Sequence, residues 1–101
     1  WSETMATFIT LIDFTDQGVR QAGQSPQRAD QFAQSASQAG VDVLNVYWTL
    51  GAHDGVLIFE AADDETATSV LLSLASKGNV RTQTLRAFDK AAFEKIASAA
   101  S

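Results

Sequence analysis

Four runs of β-branched and aromatic residues are threaded between two helical patterns, and that order restricts a chain of 101 residues to few folds. Ala6 to Phe14 (ATFITLIDF) reads as the first strand. Val41 to Leu50 (VDVLNVYWTL) and Gly55 to Ala62 (GVLIFEAA) read as two more, joined as a hairpin through Gly51-Ala52-His53-Asp54. Asn79 to Ala87 (NVRTQTLRA) supplies the fourth.

Between the first two strands, Thr15 to Gly23 starts a helical pattern that Gly18 and Gly23 weaken. Ser25-Pro26 then gives a sharp new start, with Ser25 as N-cap and Pro26 at the first helical position. Ala29, Phe32, Ala33, Ala36 and Ala39 follow with helical spacing, and Gly40 supplies the stop. Asp63-Asp64-Glu65 opens a second helix, buried along Ala67, Val70, Leu71, Leu74 and Ala75, and Lys77-Gly78 ends it. Asp89 caps a last helix, with Ala92, Phe93, Ile96, Ala97 and Ala100 on one face. The order is β-α-β-β-α-β plus a terminal helix: an α+β, ferredoxin-like arrangement with helices on one face of a four-stranded antiparallel sheet.

A solvated second face would be polar at every other position. Instead the first strand offers Phe8, Ile12 and Phe14 on one side and Ile9 and Leu11 on the other. The second offers Val41, Val43 and Tyr47 against Leu44, Val46, Trp48 and Leu50. With so short a chain the simplest cover is another copy, so a homodimer or higher oligomer is expected. Residues 5–101 make a single domain, Met5 reads as the natural start, and Trp1-Ser2-Glu3-Thr4 read as an expression remnant.

Composition narrows the functions. Apolar residues make up 46% and charged residues 19%, as in a folded globular domain. Twelve acids against seven bases leave a net charge of −5, which argues against nucleic-acid and anionic-membrane partners. With no cysteine and one histidine there is no thiolate nucleophile and no basis for structural zinc, and no cofactor is called for. No apolar run is long enough to span a membrane and no secretory signal is visible, so the cytoplasm is the default location.

The hairpin segment Tyr47-Trp48-Thr49-Leu50-Gly51-Ala52-His53-Asp54-Gly55, with Glu60-Ala61 and Asp63, resembles the signature of the GYD domain family. Gly78 to Arg86, the opening Thr7 to Leu11, Phe14 to Gly18, and Ser25-Pro26 with Arg28-Ala29 extend the likeness from about Met5 to Phe88. His53 stands where the tyrosine of the family's name is typical. The resemblance implies a small ferredoxin-like domain, similar in layout to the dimeric α+β barrels, and carries over no catalytic residue. Domains of that layout include cofactor-free monooxygenases, lactone isomerases and amino-acid sensors, a likeness of fold alone.

Six residues are candidates for chemistry or binding. His53 beside Asp54 offers an imidazole and a carboxylate for general-base work; equally, Gly51 and Asp54 shape the turn and His53 lies at its edge. Tyr47 and Trp48 fall on opposite sides of their strand, one in the core and one toward an interface or ligand cavity. Arg81 and Arg86 fall on opposite faces of the fourth strand, where Glu60 is an ion-pair partner or a ligand carboxylate takes its place. Asp63-Asp64-Glu65 is explained by helix capping and not by metal binding. The many glutamines from Gln17 to Gln38 read as a solvated face. Two functions are consistent with this set: a homo-oligomeric module for small-molecule binding or assembly, or a cofactor-independent isomerase or oxygenase using His53 and Asp54 on an apolar acidic substrate.

Overall fold

In the computed structural model, which describes residues 5–100, the chain runs β1 (Ala6–Phe14), α1 (Asp16–Arg20), a 3-10 turn (Ala22–Gln24), α2 (Ser25–Gln38), β2 (Asp42–Trp48), β3 (Gly55–Ala61), α3 (Asp64–Ala75), β4 (Val80–Ala87) and α4 (Lys90–Ala100). The residues read as an expression remnant lie outside the described ones. The strands form one antiparallel sheet in the order β2-β3-β1-β4, the α+β, ferredoxin-like layout that the sequence implies.

Register assigns every strand residue a face. Phe8 pairs with Phe59 on one side and Arg86 on the other, Thr10 with Leu57 and Thr84, and Ile12 with Gly55 and Thr82. This is the helix-covered face. Phe8, Leu57, Phe59 and Ala61 are buried on it with Ala36 of α2 and with Ala67, Val70 and Leu71 of α3, and Val41 closes the edge. The Phe8 and Phe59 rings stack with centroids 5.2 Å apart. Thr10 is fully buried there, and its hydroxyl is satisfied by that of Thr84 at 2.9 Å. The opposite face carries Ile9, Leu11 and Asp13, paired with Ile58 and Val56 of β3 and with Leu85, Gln83 and Arg81 of β4.

The alternation expected for the second strand is broken by a bulge. Val43 pairs with Phe59, but Asn45 pairs with Ile58, so Leu44 is left over. Beyond it the two faces exchange: Val46 and Trp48 join the helix face while Asn45 and Tyr47 join the open one. Strict alternation groups Val43 with Tyr47; the extra residue separates them.

The start of α2 also differs from expectation. Ser25 is already helical, the cap position falls on Gln24, and no side chain closes it. Pro26 still sits in the first turn, where a missing N–H costs nothing. The Ser25 hydroxyl is engaged elsewhere, accepting a bond from Trp48 Nε1 at 3.0 Å. The other caps follow the sequence: Asp63 accepts from Thr66 N at 2.8 Å and Asp89 from Ala92 N at 2.7 Å.

Gly18 looks like a helix weakener but has a packing cause. A Cβ there would lie 1.9 Å from the carbonyl oxygen of Asn79. That close approach joins the β1–α1 corner to the α3–β4 corner, where Thr15 N donates to Asn79 O at 3.1 Å and the Thr15 hydroxyl to Gly78 O at 2.6 Å. Gln17 joins the same corner through Lys77 O and Asn79 Oδ1, so this glutamine is more than part of a solvated face.

The face of α4 has the predicted spacing but lies outside the buried cluster. Phe93 is 57% exposed and Ile96 42% exposed. The radius of gyration is 14.8 Å and the long axis 49 Å, whereas a compact 100-residue domain has a radius of about 13 Å.

Candidate functional site

His53, Asp54, Tyr47, Trp48 and Arg81 lie toward one end of the sheet, where β1 finishes, β4 begins and the β2–β3 connection crosses, and Arg86 lies toward the other. Gly51 has φ near +127°, a conformation that favours glycine, and lets the connection fold back. Asp54 anchors it to β1 twice, its N–H donating to Ile12 O at 2.8 Å and its carboxylate accepting from Phe14 N at 2.9 Å. Thr49 tightens the loop through N–H to Asp54 O at 3.0 Å and hydroxyl to His53 O at 2.6 Å. Asp54 is thus occupied with backbone.

The carboxylate beside His53 belongs to Asp13. Nδ1 lies 3.2 Å from each Asp13 oxygen, and the side chains are 36% and 43% exposed respectively. Adjacency in sequence favours Asp54; the sheet brings in a residue forty positions away. The arrangement orients one imidazole nitrogen, as acid–base chemistry requires. It stands open to water, outside the lining of the cleft described below.

The remaining candidates do not converge. Trp48 is on the helix face and Tyr47 on the open face, each about half exposed. The arginines occupy opposite faces of β4, which is the far edge of the sheet from β2. Three strand spacings, about 14 Å, separate those edges. Arg86 donates to Thr7 O at 3.3 Å and lies over the rings of Phe88 and Phe8, 4.5 and 5.6 Å from their centroids. Arg81 faces Asp13 across the β1–β4 pair. The expected ion pair with Glu60 does not form: Glu60 lies on β3 opposite Thr7, and neither arginine makes an ion pair among the described residues. Asp63 caps α3, and the bonds from Thr66 hold its carboxyl below the usual value of 3.8.

A cleft of about 130 Å³ opens between α2, α3 and the helix face of the sheet. Phe14, Phe32, Leu57 and Leu74 line it with Arg28 and Lys77, and Asp54 and Trp48 border it. Arg28 was noted in the sequence only as part of a resemblance. A usable signal was present, because it precedes Phe32 by one helical turn and so shares its inward stripe. Asp13 and Ser25 gave no such signal, as their partners, His53 and Trp48, are distant in sequence.

Comparison with known proteins adds a family and a relative. The model of the GYD domain matches residues 8–97. A Thermus thermophilus protein, named glutamine synthetase and cystathionine beta-lyase binding protein, is 39% identical over 84 residues, covering 82% of this chain and 88% of its own. No solved structure matches.

Proposed function

The chain belongs to the GYD domain family, and on that premise we propose that it is a protein-binding module that works as an assembly of its own copies, with no chemistry of its own. The observation that carries this is the open face of the sheet. Ile9, Leu11, Val56 and Ile58 run across its centre, neither α2 nor α3 covers it, and Tyr47 and Leu85 stand exposed at its edges. Apolar surface of that extent favours burial against another face.

A second copy fits it on charge as well. Asp42 and Glu60 face each other across the β2–β3 pair, like charges that a cation would relieve, while Arg81 sits at the opposite edge and opposite end. A two-fold axis set diagonally between two such faces brings Arg81 of one copy toward Asp42 and Glu60 of the other. The relative's name supports protein partners for the assembled form, with metabolic enzymes of the kinds named there as the first to test.

Sedimentation of the full chain at micromolar concentration tests the assembly. The expected result is a dimer or larger species that Leu11→Glu, at the centre of the face, reduces to a folded monomer. A wild-type monomer overturns it. Binding to purified glutamine synthetase and cystathionine beta-lyase from the same organism then tests the partner class.

The pairing of His53 with Asp13 favours a second reading, a cofactor-independent enzyme in which His53 moves a proton. Its exposure and its position outside the cleft weigh against that reading. Turnover of an apolar acid that His53→Gln abolishes, with fold and assembly intact, would replace the first reading with the second.

A further inference from the structure

We propose that the cleft between α2 and α3 is a binding site for a small apolar carboxylic acid, held by Arg28. The key observation is an orphaned donor. Arg28 Nη1 donates to Gln21 O at 3.1 Å, whereas Nη2 is shut off from solvent with no hydrogen-bond partner among the described residues. A buried guanidinium nitrogen left without an acceptor is costly, and native structures seldom keep one that nothing satisfies. The Nη1 bond holds one side of the fork, and Nη2, closed to water before an acid enters, reaches it by a small turn of the side chain toward the cleft that Arg28 lines.

Charge in the cleft has the sign an anion needs. Arg28 and Lys77 line it against a single acid, Asp54, whose carboxylate is already taken by the N–H of Phe14. The surplus is local, since the chain as a whole carries −5. The remainder of the lining is ring and branched aliphatic surface from Phe14, Phe32, Leu57 and Leu74, which suits an apolar body. Size sets the class. The cavity is about 130 Å³, close to the roughly 150 Å³ that accommodates benzene in an apolar protein cavity. A single-ring or branched short-chain monocarboxylate fills a space of that size.

Of the residues weighed in the sequence, Trp48 and Asp54 border this site, while Arg28, which holds the acid, is in none of those constellations, and the site stands independently of the assembly reading. Assembly uses the opposite face of the sheet, so a monomer could bind the acid and an oligomer could fail to.

The test uses the full chain with three acids, benzoate, phenylacetate and isovalerate, each against its primary amide. The readout is the indole N–H resonance of Trp48, which borders the cleft and donates to Ser25. At least one acid is expected to give a saturable shift with Kd of about 1 mM or tighter, and its amide to bind at least about ten-fold more weakly, as loss of a charge-assisted bond implies. Arg28→Gln is expected to bring the acid down to the level of the amide, and Ala29→Leu, which fills the cleft from α2, to remove both. If no acid gives a saturable shift, or acid and amide bind alike to the wild-type protein, the proposal is overturned. That second comparison needs no variant to fold.

Discussion

His53 turns its Nδ1 to the carboxylate of Asp13, 3.2 Å from both oxygens, while its sequence neighbour Asp54 accepts from the backbone of Phe14. The two acids thereby have separate duties: one faces a ring, the other ties a loop to a strand. Because the pair is more than a third exposed, its Coulomb energy is screened. His53→Gln is expected to change unfolding free energy by less than about 1 kcal/mol, whereas Asp54→Ala leaves a strand-end N–H without its acceptor and costs about 1–3 kcal/mol. Urea melts of both variants check the contrast.

Gly18 and Gly23 differ in the same way. A Cβ at 18 would meet Asn79 O at 1.9 Å, and one at 23 meets nothing within 4 Å among the described residues. Gly18→Ala is expected to destabilise by about 1–3 kcal/mol or more, through displaced backbone. Gly23→Ala is expected to be neutral or to stabilise by up to about 1 kcal/mol, by restricting the unfolded chain. Thermal melts should show a lower midpoint for Gly18→Ala and an equal or higher one for Gly23→Ala.

Asp63 gives the fold a pH dependence whose sign follows from its cap. Its folded carboxyl titrates below 3.8 because Thr66 hydrogen-bonds the charged form. The stabilisation is therefore full above 3.8 and is lost as pH falls through the lower, folded value. Asp63→Asn keeps an acceptor without the charge, so its stability should decline less steeply than that of the wild type between pH 4 and pH 2, roughly the window for a depressed carboxyl. Equal slopes in acid titration would remove Asp63 from the account.

Ser25→Ala deprives the Trp48 indole of its acceptor at the rim of the cleft. The expected cost is about 0.5–1.5 kcal/mol, with the indole proton exchanging faster with solvent. Phe59→Ala, at a fully buried position stacked on Phe8, should cost about 3–5 kcal/mol. Chemical denaturation separates these magnitudes easily.

Much of this fold was legible because each element carried a local signal. Alternating β-branched residues marked β1 and β3, and Asp63, Asp89 and Gly78 marked ends that the structure keeps. Faces were legible only while the two-residue period held. Nothing in the letters of Asp42 to Trp48 announces that Leu44 is supernumerary, since a bulge depends on what the partner strand offers. The site was less legible for the same reason. Asp13 to His53 and Ser25 to Trp48 are non-local pairings, chosen by topology and not by spacing. Arg28 was readable in principle, as a charge on an inward helical stripe, but only the structure shows that one of its nitrogens has no acceptor.

The bulge at Leu44 works as a frame marker. Everything downstream on β2 is assigned to inside or outside by that one extra residue, so Trp48 lies on the helix face and Tyr47 on the open one. Deleting Leu44 would leave Val43 and Asn45 on the consecutive partners Phe59 and Ile58, so both aromatics would keep their faces, whereas drawing Leu44 into a regular ladder would exchange them. The ladder would thus absorb a one-residue deletion at the bulge, while the same deletion in a strand without one would turn every later side chain to the other surface.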